Sequence, residues 1–142
     1  MTTSPEDFTA PPGSHPDGAR RANPPFAAQR GLRVRAEAGV LARLTFDLVT
    51  RMPDGLRGVF ASQMRRAAAS IYVNLGEGEG RSTRPDRRHF FTVAWASLRE
   101  LELHADLALA SGALTPANAS HLRHQCRQVG RMLHALRGAL DD

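Results

Sequence analysis

Gln63-Met64-Arg65-Arg66-Ala67-Ala68-Ala69-Ser70-Ile71-Tyr72-Val73-Asn74-Leu75-Gly76-Glu77-Gly78-Glu79-Gly80-Arg81 is the stretch whose reading decides the fold. Met64, Ala67, Ile71 and Leu75 recur at intervals of three and four, the spacing that gathers apolar side chains on one helical stripe. Two arginines open the run and alternate glycines close it, so charge sits toward both ends of one amphipathic helix. Alanine and serine between them let a neighbouring helix come close. A bundle with a basic end follows more directly from this pattern than an enzyme pocket does.

The same 3.6-residue period extends in both directions, and strand-like alternation is absent. Upstream, helix 1 is expected over 30–52, with Val34, Leu41, Leu44, Leu48 and Met52 on one stripe, and Pro53-Asp54-Gly55 breaking it. Helix 2 then runs over 56–79, and Gly76, Gly78 and Gly80 weaken and end it. Thr83 as cap, Pro85 in the first turn and Asp86 three residues beyond the cap signal the start of helix 3, which continues to Ser111 and stops at Gly112. Helix 4 opens on Thr115 as cap with Pro116 at its first position. Its line Leu122, Cys126, Val129, Leu133, Leu136, Leu140 is a heptad seam suited to near-parallel packing.

Four helices of similar length joined by short loops specify an all-α, antiparallel up-down-up-down four-helix bundle about 35 Å long. The bundle is assigned to residues 29–142. Residues 1–28 hold six of the nine prolines, together with glycines and serines, and form a tail too poor in apolar surface to fold.

All 19 cationic residues are arginine, against 14 acids, for a formal charge of +5. The planar guanidinium fork suits phosphate, although codon bias toward arginine explains the choice equally well. The single cysteine, Cys126, excludes an intramolecular disulfide and fits a reducing cytosol. No apolar run approaches the roughly 20 residues of a membrane span. The expected location is therefore cytoplasmic.

Helix 3 is apolar on two sides. Phe91, Ala94, Trp95, Leu98, Leu101 and Ala105 make one face, while Val93, Ala96, Leu103 and Leu107 project on the other. A helix in a lone bundle needs one buried stripe. The second predicts a partner surface, most simply another copy of the chain.

Gln63, Arg65-Arg66-Ala67, Ser70-Ile71, Asn74-Leu75-Gly76-Glu77-Gly78 and Arg81, followed by Phe90-Phe91, Ala94, Ser97-Leu98 and Glu100-Leu101-Glu102, resemble helices 2 and 3 of a bacterial family. These are the four-helix-bundle proteins encoded in intervening sequences of 23S rRNA genes. Gly112 ahead of Leu114 and Thr115 fits their third loop, and the likeness covers about 32–140. The resemblance implies a ring-shaped homo-oligomer, typically a homopentamer, with a basic surface that meets nucleic acid. A related branch, the accessory protein of diversity-generating retroelements, implies a reverse transcriptase as partner. Gly76 departs from the family's usual alanine, which should loosen the end of helix 2.

The candidate nucleic-acid contacts are Arg65, Arg66, Arg81, Arg84, Arg87 and Arg88, opposed nearby only by Glu77, Glu79 and Asp86. Such a cluster, repeated around a ring, binds RNA or DNA backbones by releasing counterions; a solvated charged turn is the alternative. Arg123, Arg127 and Arg131 form a second stripe that reads equally well as a solvated face. Phe91, Trp95 and Tyr72 read as core rather than base-stacking platforms. Asn74, Ser70, Ser97 and Glu100 read as a hydrogen-bond network fixing the register of helices 2 and 3. The glycine ladder follows a helix rather than a strand and no lysine follows it, so it is no phosphate-binding loop.

Neither Glu77, Glu100 and Glu102, which lack Glu-x-x-His pairs, nor His121, His124 and Cys126 make a convincing metal set. The expectation is thus a non-enzymatic subunit with no cofactor, metal, membrane or small-molecule substrate. It binds RNA or DNA as a homo-oligomer. The alternative is an oligomeric scaffold for another protein, without direct nucleic-acid contact.

Overall fold

The computed structural model describes the backbone of residues 26–141 and the side chains of 30–141. Four helices, α1 (Phe26–Thr50), α2 (Asp54–Glu79), α3 (Arg84–Ala110) and α4 (Pro116–Gly138), form an antiparallel bundle with no strand among the described residues. Each helix packs on its two neighbours in the order α1–α2–α3–α4, with α4 closing back on α1. α1 begins at Phe26, so residues 26–28 of the expected tail are helical, and the rest of that expectation lies outside the described residues.

The caps act as their residue types dictate. Thr83 Oγ1 accepts the backbone N–H of Asp86 at 3.3 Å, and Thr115 Oγ1 accepts that of Asn118 at 3.1 Å, each satisfying one orphan donor of a helix N-terminus. Gly112 has φ +79°, and Ala113 N–H reaches back to the Ala108 carbonyl (2.8 Å) and Gly112 N–H to that of Leu109 (3.1 Å). This doubly bonded ending needs a left-handed residue, which glycine supplies without strain.

Two boundaries differ from the sequence reading. α1 ends at Thr50 rather than Met52, and α2 begins at Asp54 rather than Leu56, because the Pro53 carbonyl accepts from both Leu56 and Arg57 at 2.9 Å and so starts the next helix. Asp54 and Gly55 then lie in the first turn of α2, where Asp54 pairs with Arg57 at 3.0 Å and complements the helix dipole. At the other end α2 stops at Glu79, as expected; it runs through Gly76 and Gly78, and Gly80 adopts a right-handed conformation (φ −79°).

What Gly78 provides is therefore closeness. A Cβ there would stand 2.5 Å from Phe91 Cε1 and 3.2 Å from Phe90 Cβ, so only glycine lets α3 pack against the end of α2. Farther along the same seam Ser70 Oγ and Ser97 Oγ are 2.7 Å apart, and Asn74 Nδ2 donates to the Ser70 carbonyl (2.8 Å) and hydroxyl (3.0 Å). Ser70 Oγ accepts from Asn74 with one lone pair, and either serine hydroxyl can donate in the Ser70–Ser97 bond. This is the register-fixing network expected from the sequence, minus Glu100, which is exposed and stands 3.6 Å from His104.

The core follows the expected stripes: Val34, Leu41, Leu48 and Met52 on α1, Phe60, Met64, Ala67, Ile71 and Leu75 on α2, Phe91, Leu98 and Leu101 on α3, and Leu122, Cys126, Val129 and Leu133 on α4 are all buried. Thr45, also buried, returns its hydroxyl to the Leu41 carbonyl at 2.8 Å.

The two glycines at the end of α2 should respond oppositely to alanine. At Gly76 the nearest atom to a new Cβ is Arg35 Cδ at 3.8 Å, so Gly76→Ala should gain most of the helix-propensity difference, about 0.5–1 kcal/mol. Gly78→Ala forces Cβ into the Phe91 ring and should cost about 1–3 kcal/mol. Urea unfolding of the two variants measures both signs.

Candidate nucleic-acid interface

The six candidate arginines fall into two groups. Arg81, Arg84, Arg87 and Arg88 occupy the α2–α3 turn and the first turn of α3, at the bundle end shared with the start of α1 and the end of α4. Arg65 and Arg66 lie at the middle of α2, about 22 Å along the helix from Arg81 at 1.5 Å per residue. The sequence reading had placed charge at the two ends of one helix. In the full length of α2 the first pair lies at the middle, and only the second group marks an end.

The turn arginines have local partners. Arg81 reaches Glu77 at 3.3 Å and lies 4.6 Å above the Phe90 ring. Arg87 Nε donates to the Arg81 carbonyl at 2.7 Å. Arg88 bridges Asp141 across to the end of α4, and Arg84 also has an interaction partner. Arg65 and Arg66, by contrast, make no hydrogen bond or ion pair among the described residues, and both are exposed. Arg43 on α1 is likewise exposed and unpaired. The α4 stripe is locally engaged at two of three positions, Arg123 with Asp106 at 2.6 Å and Arg131 with Gln128 at 3.3 Å.

The second face of α3 remains uncovered. Leu103 is 59% and Leu107 56% exposed; Ala96 is exposed and Val93 half-buried. Val93 and Glu100 stand one turn either side of Ser97, so this stripe borders α2. Its counterpart on α2 is Val59, Arg66 and Val73, spaced seven apart and adjoining Ser70; the two valines are 63% and 55% exposed. Together they form one apolar face across α2 and α3, interrupted by Arg66 and Glu100.

The aromatic expectations need two corrections. Phe91 is core, but Trp95 is half-buried on the α3–α4 flank, with Arg137 5.4 Å above its ring and His134 beside it. Tyr72 is 40% exposed on the α1–α2 flank, resting against Gly39. Its position beside Ile71 pointed to the core, yet one residue is 100° of helix, enough to leave the buried stripe.

At the turn end, a cavity of about 230 Å³ is lined by residues of all four helices, among them Leu32, Glu79, Arg87, Phe91 and Leu136. Glu79 pairs with Arg35 at 3.2 Å, and burial pushes its carboxyl pKa up despite that cation. No group of three His, Cys, Asp or Glu side chains among the described residues is placed to hold a metal. No described helix is long and apolar enough to cross a membrane. Burial, reinforced by the charges of Glu102 and Asp106, pushes the Cys126 thiol up to about 12. At neutral pH it is protonated and shielded.

The sequence profile described as 23S rRNA-intervening sequence protein matches residues 30–135. The chain belongs to that family. Among solved structures, a protein from Bacteroides thetaiotaomicron VPI-5482, described as a protein of unknown function from the S23 ribosomal protein family, superposes with a TM-score of 0.72. It is 17% identical over 77% of this chain and 98% of its own, a likeness that shows the fold alone. Among curated proteins none matches the chain significantly.

The state of Cys126 gives a direct check on this intervening-sequence bundle. In the native protein at neutral pH the thiol should react with a maleimide at least about a hundredfold more slowly than in urea, since it must both open and ionise. Comparable rates would mean the α4 seam is not closed.

Proposed function

We propose that this protein is a non-enzymatic subunit of a homo-oligomeric ring, a pentamer, that binds nucleic acid, RNA foremost, through arginines brought together by assembly. The observation that carries the reading is the apolar face of Leu103, Leu107, Val59 and Val73, exposed beside guanidiniums that have no partner among the described residues. Apolar side chains more than half exposed in a row across two helices are best accounted for by a covering partner. A second copy is the simplest such partner, because it brings the same arginines with it.

Binding would be multivalent: each arginine neutralises a phosphate weakly, and copies on one ring act at high effective concentration. The partners of the turn arginines do not oppose this. Exposed ion pairs such as Arg81–Glu77 contribute about 0–1 kcal/mol, so a phosphate displaces the carboxylate at little cost. The one thiol is protonated and buried in the α4 seam, out of reach of a substrate.

A second reading, an oligomeric scaffold for another protein such as a reverse transcriptase, draws its support from those same local pairs, which leave the turn less charged than its sequence suggests.

RNA binding measured against salt separates the two. The first reading predicts that log affinity falls linearly with log salt, and that Arg84→Glu, Arg87→Glu and Arg88→Glu combined lower affinity by at least about tenfold with the assembly intact. A flat or absent response supports the scaffold. Leu103→Asp with Leu107→Asp should dissociate the assembly and weaken RNA binding together.

A further inference from the structure

Among the described residues, the α1–α2 flank combines exposed aromatic rings with unneutralised guanidiniums. Tyr72 is 40% exposed, with its Cδ2–Cε2 edge against Gly39, at 3.6 and 3.4 Å from where a Cβ would stand. Beside it runs a groove of about 420 Å³ lined by Ala36, Gly39, Val40, Ala42, Arg43 and Tyr72. Arg65 lies seven residues before Tyr72 on the same stripe of α2, about 10 Å away along the helix. Phe46, 38% exposed, continues the stripe of Gly39 on α1. The nearest acids are already committed, Asp47 to Arg51 and Glu79 to Arg35.

We propose that this groove is a binding site for single-stranded nucleic acid, with a base stacked on Tyr72 and the adjoining phosphates held by Arg43 and Arg65. The proposal rests on the nucleic-acid reading above and names the surface and strand type for it. Stacking on an aromatic ring within a positive groove is the physical basis of single-strand binding. Nothing in the groove reads base edges: apart from Arg43 and the tyrosine its lining is glycine, alanine and valine. The site is therefore tolerant of sequence. Those small residues also form a low floor, which lets a planar base lie alongside the ring. A duplex, whose bases are already stacked on one another, cannot use Tyr72.

The flank differs from the apolar α2–α3 face in charge. Covering it with another copy would bury Arg43 and Arg65 without a paired acid on their own surface, which is costly. A phosphate backbone supplies the missing charge.

Fluorescence anisotropy with a fluorescein-labelled oligouridine RNA tests this on the full-length protein. Tyr72→Ala should weaken binding by about tenfold or more, and Tyr72→Phe and Tyr72→Trp should restore it. Tyr72→Ala should leave the salt slope unchanged, whereas Arg43→Gln with Arg65→Gln should reduce it by about 1.4 for each protomer engaged. A duplex of the same length should bind Tyr72→Ala and the unmodified protein equally.

If the unmodified protein binds the RNA with a clear salt slope but Tyr72→Ala stays within about twofold of it, the Tyr72 site is wrong while the general reading stands. If the unmodified protein binds no RNA, both fall. A change of oligomeric state in Tyr72→Ala, seen by sedimentation, would also overturn the proposal, because the flank would then be a contact between copies.

Discussion

The rest of the structure depends on how closely α2 and α3 approach each other. Glycine at 78 admits the Phe91 ring, and serines at 70 and 97 meet hydroxyl to hydroxyl. Ala67 and Ala94, both buried, are small enough not to force the helices apart. A hydrogen bond contributes only about 1 kcal/mol net. Its geometric effect is larger, because two helices joined at Ser70–Ser97 and again at Gly78–Phe91 can neither slide nor rotate. Once that rotation is set, Met64, Ile71 and Leu75 must point inward. Tyr72 is then left to one flank and Val73 to the other.

The surface is thus a consequence of the seam. α2 carries uncovered apolar or aromatic side chains on both flanks, Val59 and Val73 toward α3 with Arg66 on their stripe, and Tyr72 toward α1 with Arg65 on its stripe. Such a helix in a 116-residue described bundle leaves more apolar surface to solvent than its core requires. The proposed division of labour follows from charge: the less basic flank covers itself with another copy, and the flank of unpaired guanidiniums meets phosphate.

Much of this was legible in the sequence. The four helices, the caps at Thr83 and Thr115, the left-handed Gly112 and nearly every core residue follow from period and local chemistry, which are properties of a single helix. The second face of α3 was legible for the same reason. What escaped were matters of one helix against another. Tyr72 and Trp95 sit beside core residues, and period alone does not say whether a neighbour covers a flank. Glu100 lies on the seam's stripe yet misses the Ser70–Ser97 network because it is one turn too far along. The glycine ladder read as a stop with close packing, but that the close partner is Phe91 is something no local pattern on α2 reveals. The arginines formed one cluster on paper because 65 and 81 bracket one motif; in space a helix of known rise separates them.

The most direct test of the account is the mass of the unmodified protein in solution. Sedimentation velocity at micromolar concentration should show a single discrete multimer, with Leu103 and Leu107 covered. A monomer that persists across that range, with Leu103 and Leu107 still open to solvent, would contradict the claim that the α2–α3 seam builds a face for a second copy.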